Sequence, residues 1–391
     1  MNQDSELAVI AGVRDLLPTL RERAQETEDR RVLPAETVKA LAEIGVFRLL
    51  QPTRFGGLEA DPITFFTAVR LISSACGSTG WVTSVVGVHN WQLALFPDEA
   101  QQDVWAADPA TRMSSSYAPT GRVTKVEGGY RLQGRWSFSS GCDHATWVLL
   151  GGIVPETGTP PDFRTFLLPA SDYRIEDVWD TVGLRGTGSN DIVVEDAFVP
   201  AHRSLSFTDT ARCLCPGQAV NPGPLYRVPY GSLFPYAITV PVIGMATGAY
   251  EAHVAYTRER VRAAYAGVKA AEDPFAQVRV ATAASEIDGA WLALEHNLRE
   301  LMGYTTAGQK IPMPLRVRIR RDQVRGTTQS LAAVDRLFEN SGGRALAVGT
   351  PIQRFWRDAH AGRVHAVNDP ERALVMFGTA EFGLPITDAM L

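Results

Sequence analysis

The chain has 391 residues, a formal net charge of −5 and 45% hydrophobic residues, enough apolar material for roughly two or three packed units. Its 21% charged residues form no basic block, so neither nucleic acid nor an anionic membrane surface is an expected partner. No apolar run approaches the roughly 20 residues of a membrane span, the N-terminus lacks a signal-peptide pattern, and a cytoplasmic location is expected.

Residues 1–111 read as a helical unit. In PAETVKALAEIGVFRLL, Val38, Leu41, Ile44 and Phe47 recur on one stripe, and Pro34 suits a first turn. QPTRFGG breaks that pattern, which resumes in ITFFTAVRLISSAC and from Trp81 to Phe96. Residues 112–205 change character. Runs such as GGYRLQGRWSF, TWVLLGG, FRTFLLP and DIVVEDAFV are rich in Val, Phe, Trp and Thr and are separated by glycine pairs. They predict an antiparallel β-domain of roughly six to eight strands.

Residues 206–391 return to helix after a Pro- and Gly-rich loop over about 205–235 (NPGPLYRVPYGSLFP). A loop of that length is expected to be functional or to lie at an interface. Ile287, Trp291, Leu294, Leu298 and Leu301 form a seam for another helix, within the chain or across a subunit interface. A second long helix fits 314–339, before Ser341-Gly342-Gly343. The fold class is α+β: a helical domain, a central antiparallel β-domain and a long-helix bundle.

Candidate chemistry concentrates in RWSFSSGCDHATW, residues 135–147. It lacks the Gly-x-Ser-x-Gly order of a nucleophile elbow. On a strand, neighbouring Asp143 and His144 would point to opposite faces and could not form an orienting pair. The Cys213-Leu214-Cys215 pair has no further ligands nearby, so no metal is expected. GLRGTGSND (183–191) looks like a phosphate loop, yet it leads into a strand and not into a helix. It reads as a turn whose ligand role would come through backbone amides, Thr187 or Ser189. The chain has no recognisable nicotinamide-binding unit.

Motifs spread over nearly the whole chain resemble one family. They are CGSTGWVTSVVGVHNW (76–91), RMSSSYAP (112–119), GRWSFSSGCDHATW (134–147), VGLRGTGSNDIVVEDAFVP (182–200) and PIQRFWRDAHAGRVHAVNDPERA (351–373). The chain is similar to the acyl-CoA dehydrogenase fold, and more closely to the oxygenase component of two-component flavin-dependent monooxygenases. Within that branch it is nearest to the bacterial steroid-ring hydroxylases acting on 3-HSA, a phenolic secosteroid of cholesterol degradation. Several dehydrogenases of the fold follow an Arg-Asp-Ala run with a Tyr-Glu-Gly that carries the catalytic glutamate. Here Arg357-Asp358-Ala359 is followed by His365-Ala366 at the Tyr-Glu positions. Without that carboxylate there is no obvious base for α-proton abstraction, whereas an imidazole suits a phenolic proton.

The resemblance implies reduced FMN or FAD supplied by a separate NAD(P)H-flavin reductase, O2 as co-substrate, and a C4a-hydroperoxyflavin that ortho-hydroxylates a phenol to a catechol. Related phenol or aromatic-polyketide hydroxylases and an acyl-CoA-type dehydrogenase are the alternative activities. It points to Ser140, with Ser139 adjacent, beside flavin N5, and to Trp81 and Trp136 lining the flavin. Ser115 and His89 match positions near flavin and substrate, and His365, beside Ala366, is expected to activate the phenol or steady the distal oxygen. Arg260, Gly343 and Arg344 are the candidates for the flavin phosphate. Such contacts often come from a neighbouring subunit, which would account for the seam at 287–301, and a homotetramer is implied. Phe234, Pro235 and Tyr236, at the end of the 205–235 loop, are a candidate wall for a bulky substrate.

Overall fold

The computed structural model of the chain describes residues 3–155, 161–262 and 268–386. Helices α1 (Gln3–Glu22), α2 (Ala24–Arg30), α3 (Ala35–Ile44), α4 (Pro62–Ala75), α5 (Gly77–Leu93) and α6 (Asp98–Trp105) come first. The α3 stripe ends at Gly45, whose φ of 89° is a left-handed stop that glycine adopts without steric cost. Phe47 is still buried, but on a short 3-10 turn after the helix. Every residue of α5 is buried. A helix buried on all sides lies inside the core, and α5 is the axis on which the site is built.

The strands are β1 (Met113–Ser116), β2 (Arg122–Val126), β3 (Gly129–Ser139), β4 (Trp147–Val154), β5 (Asp162–Pro169), β6 (Arg174–Glu176), β7 (Asn190–Pro200) and β8 (Ser204–Ser206). They form two four-stranded sheets, in the orders β1-β4-β5-β8 and β2-β3-β7-β6. The sheets share an apolar filling that includes Val123, Leu132, Trp136, Val148, Phe166 and Ile192. One feature departs from the antiparallel expectation: β1 runs parallel to β4. The β2–β3 hairpin between them belongs to the other sheet, so the chain returns to the first sheet by a crossover, which permits parallel pairing.

Helices α7 (Phe207–Arg212) and α8 (Tyr230–Glu259) follow, then the short strands β9 (Val261–Arg262) and β10 (Val268–Lys269). Helices α9 (Pro274–Thr306), α10 (Met313–Ser341), α11 (Pro351–Arg363) and α12 (Pro370–Glu381) complete the order. One sequence expectation is corrected here, and one left open between two partners is decided. The 205–235 segment is not a long irregular loop: it holds α7, two 3-10 turns and the first turns of α8. Phe234, Pro235 and Tyr236 are therefore buried helical residues. Tertiary packing overrides the low helix propensity of Pro235 and Pro241, both inside α8. The seam residues Ile287, Trp291, Leu294, Leu298 and Leu301 are buried within the chain itself, where α9 packs on α8 and α10. They are not left for a neighbouring subunit. α8 is long and apolar enough to cross a membrane, but 94% of its apolar window is buried inside the fold.

Candidate active site

Trp81, Ser140 and His365 lie far apart in the chain and meet in space. The Trp81 indole N–H donates to Ser140 Oγ at 3.2 Å, and its ring centroid is 6.0 Å from that of His365. Two glycines allow this approach. Gly141 has φ 73°, and a Cβ there would meet Val82 of α5 at 2.8 Å. Gly362 of α11 lies so near Trp81 that a Cβ would come within 3.0 Å of the indole.

His365 caps a 3-10 turn, and its Nδ1 accepts the Val367 backbone N–H at 3.1 Å. Burial holds this imidazole at about 4, well below the ordinary histidine value, so it is neutral near pH 7. With Nδ1 committed as acceptor, the ring proton sits on Nε2. His365 is a hydrogen-bond donor, and this sets aside its expected role as the base toward a phenol. The donor role toward an oxygen atom remains.

The GLRGTGSND loop packs behind Ser140. Asp358 of α11 accepts the Leu184 backbone N–H at 2.6 Å, and Gly183 and Gly186 lie close against Arg357 and Thr27, where Cβ atoms would clash. Held this way, the loop presents a row of hydroxyls. Ser140 Oγ lies 2.7 Å from Ser189 Oγ, which lies 2.6 Å from Thr187 Oγ1. Thr187 in turn donates to the Leu184 carbonyl at 2.9 Å.

Two turns along α5 from Trp81, and on the same face, is His89. It is fully buried and stacks on Phe234 with centroids 6.4 Å apart. Its Nδ1 lies 3.4 Å from the Tyr117 hydroxyl, while Tyr117 donates its own proton to Gln92 Oε1 at 2.5 Å. That commitment makes His89 Nδ1 the donor and leaves Nε2 with a free lone pair. Nε2 is indeed buried with no hydrogen-bond partner, and burial holds this ring at about 3. The two histidines thus carry opposite tautomers. Ser115 is half-buried on β1, next to the strand end that leads to Tyr117. Phe163, Phe207, Tyr230 and Phe234 complete an aromatic cluster around Tyr117.

Two expected flavin-lining residues lie elsewhere. Trp136 is fully buried between the sheets, its indole N–H donating to the Gly151 carbonyl at 2.8 Å. Ser139 is also fully buried and donates to Ser114 Oγ at 3.1 Å. Trp136 keeps the inward phase of Leu132, and a register shift in β3 between Trp136 and Ser139 turns Ser139 inward as well. The same bulge gives Phe138 a φ of 69° and turns its ring outward, 69% exposed and edge-on to Trp179 with centroids 6.1 Å apart. Phe138, Trp179, Tyr117 and Gln92 were not singled out from sequence. The large aromatic beside the serines was the available signal, but strand alternation alone aims it inward. Asp143 and His144 occupy a 3-10 turn and not a strand. Asp143 accepts from Asn190, and His144 Nε2 is buried without a partner.

Arg260 ends α8 and donates to the Asn340 carbonyl at 3.0 Å. The Gly342 turn, with φ 70°, lies against its guanidinium, where a Cβ would come within 2.4 Å. Gly343 faces open space and Arg344 is exposed. Arg260 and the Gly342-Gly343 turn are thus adjacent, with Arg344 exposed just beyond the turn. Ala366 is exposed beside His365.

Comparison with known proteins decides the family. The acyl-CoA dehydrogenase N-terminal domain matches residues 3–112, and the acyl-CoA dehydrogenase C-terminal domain matches 236–370. The flavin-dependent monooxygenase oxygenase subunit HsaA of Rhodococcus jostii is 60% identical over 376 residues, covering 96% of this chain and 98% of that protein. The HsaA oxygenase subunit of Mycobacterium tuberculosis is 56% identical, covering 100% of this chain and 99% of that protein. This chain belongs to the flavin-dependent monooxygenase oxygenase subunits.

The fold agrees with that family. The crystal structure of 3-HSA hydroxylase from Rhodococcus sp. RHA1 superposes with a TM-score of 0.95 at 58% identity, covering 98% of this chain and 99% of that one. An oxygenase subunit of this family takes reduced flavin from a separate reductase component. The residues here fit such a cofactor. Exposed Phe138 and the Trp81 and Trp179 indoles suit a flat ring system, and the Ser140 hydroxyl suits a ring nitrogen. Arg260, Arg344 and the open Gly343 amide suit a phosphate.

Proposed function

We propose that this oxygenase subunit ortho-hydroxylates 3-HSA, the phenolic secosteroid in the name of its 58%-identical structural relative, to a catechol. Reduced FMN or FAD supplies two electrons to O2, so that one oxygen atom enters the ring and the other leaves as water. The observation that carries the reading is the opposite polarity of two neutral histidines, His365 beside Trp81 and His89 beside Tyr117. His89 Nε2 accepts a hydrogen bond from the phenol hydroxyl and makes the ring more electron-rich. His365 Nε2–H donates to the oxygen being transferred, and Ser140 faces flavin N5. The Tyr117, Phe207, Tyr230 and Phe234 rings hold an apolar fused-ring substrate and exclude water. Arg260 and Arg344 hold the flavin phosphate.

A homotetramer fits the exposed apolar side chains on the last helices, including Phe275, Leu292 and Val375, at 75%, 62% and 68% exposure. The free thiols of Cys76, Cys142, Cys213 and Cys215 suit a reducing cytoplasm.

The test is turnover with a flavin reductase, NADH and a panel of 3-HSA and simple phenols. Catechol formation, best with 3-HSA, is the expected result. Peroxide release without hydroxylation of any phenol would sink the reading. Preference for a small phenol would remove 3-HSA alone.

A further inference from the structure

We propose that Thr187 and Ser189 fix the Ser140 hydroxyl as a hydrogen-bond acceptor toward the pocket, and so make the subunit bind reduced flavin in preference to oxidised flavin. The inference rests on the reading above that Ser140 faces flavin N5. Its starting point is the hydroxyl row in the GLRGTGSND loop, which the proposed reaction does not use.

A row of hydroxyls has a direction, because each has one proton to give. This row ends on the Leu184 carbonyl, which has none. Thr187 must donate there, at 2.9 Å, since the alternative opposes two oxygen lone pairs. Thr187 Oγ1 is then the acceptor for Ser189, at 2.6 Å, and Ser189 Oγ the acceptor for Ser140, at 2.7 Å. From the other side, the Trp81 indole, which can only donate, points its N–H at Ser140 Oγ. The Ser140 proton is thereby drawn inward and one lone pair is left for the pocket. Thr187 and Ser189 are buried, at 1% and 4% exposure, so water does not compete for these bonds.

Flavin chemistry supplies the consequence. Reduced flavin carries a hydrogen on N5 and is a donor there, whereas oxidised flavin presents a lone pair. Against an acceptor oxygen, the reduced form gains a hydrogen bond and the oxidised form meets repulsion. An oxygenase subunit that receives its cofactor reduced and must release it oxidised needs that sign. Thr187 and Ser189 are positioning residues, acting through Ser140.

The test measures affinity for oxidised FMN by fluorescence quenching and for photoreduced FMN under anaerobic conditions, and takes their ratio. Ser189→Ala and Thr187→Val should each free Ser140 to turn its proton outward. Each should narrow the preference for reduced FMN about five- to tenfold, the share of one hydrogen bond. Thr187→Ser keeps the row and should restore the wild-type ratio, which a merely structural role would not require. Circular dichroism and a thermal melt establish that each variant is folded, and Thr187→Val stands in if Ser189→Ala is not.

An unchanged ratio in both variants, with Ser140→Ala weakening reduced FMN, would overturn the relay and leave Ser140 at N5. If Ser140→Ala binds both redox forms as wild type does, the underlying placement of Ser140 falls. A wild type that binds oxidised FMN more tightly would reverse the direction of the row and overturn the proposal.

Discussion

The Trp81 indole donates a hydrogen bond to the Ser140 hydroxyl across 59 positions of sequence, tying the central helix α5 to the bulged end of β3. That single contact fixes the Trp81 ring on one side and the Ser140 oxygen on the other. Much of the site can be probed by disturbing it or its neighbours.

Gly362→Ala is the sharpest disturbance of the indole. A methyl there would sit 2.9 Å from Val242 and 3.0 Å from the Trp81 ring. Alanine gains about 1 kcal/mol in helix propensity over glycine, but overpacking a full core costs about 1–3 kcal/mol. The crowding should win or cancel the gain. We expect shifted indole fluorescence, no gain in stability in a urea melt, and more peroxide released per hydroxylation.

His89→Ala should remove the hydrogen-bond acceptor for the phenol hydroxyl. Hydroxylation near neutral pH should fall about a hundredfold, with less loss at alkaline pH, where the phenol ionises in solution. Tyr117→Phe removes the oxygen that fixes the His89 tautomer and should produce a smaller loss of the same shape. A pH-rate profile with no difference between mutant and wild type would exclude His89 from the proton step.

Arg260→Ala should weaken FMN about tenfold, the cost of one charge-assisted contact, and leave riboflavin binding nearly unchanged. Equal loss for both ligands would mean that Arg260 acts only through its bond to the Asn340 carbonyl. Titration of each ligand against the folded variant distinguishes the two.

Acid should destabilise the fold. Burial depresses His89 to about 3 and His253 and His365 to about 4. Their contribution is complete above the unfolded value near 6.5 and is lost as pH falls toward 4, because the unfolded chain then binds protons that the folded chain refuses. Asp358, raised to about 6 by burial, works with the opposite sign over roughly pH 4–6. Three histidines outweigh one carboxyl, so the midpoint of unfolding should drop between about pH 6.5 and 4. His253→Gln should flatten that slope by up to about 1.4 kcal/mol per pH unit.

Much of this could be read from the chain. The helical stripe with Val38 and Leu41, the Val- and Phe-rich runs of the β-domain and the spacing of Ile287 to Leu301 each declare a buried face by local periodicity. The full set of motifs identified the flavin-dependent oxygenase family. Trp136 follows the inward phase of its strand, whereas Ser139 turns inward because a bulge in β3 reverses the inward–outward alternation that a strand pattern implies. The same bulge hid Phe138.

The sequence by itself determined the order of helix, sheet and helix, and the residue types available for flavin and phenol chemistry, because patterning and motif are local properties. Only the tertiary structure decided which atom of each residue is left to meet a ligand. The proton positions on His89, His365 and Ser140 are set by Tyr117, by the Val367 backbone and by the Ser189–Thr187–Leu184 row. The His89–Tyr117 and Ser140–Ser189 bonds depend on how distant segments pack, and no local pattern of residues encodes the direction of a hydrogen bond between them.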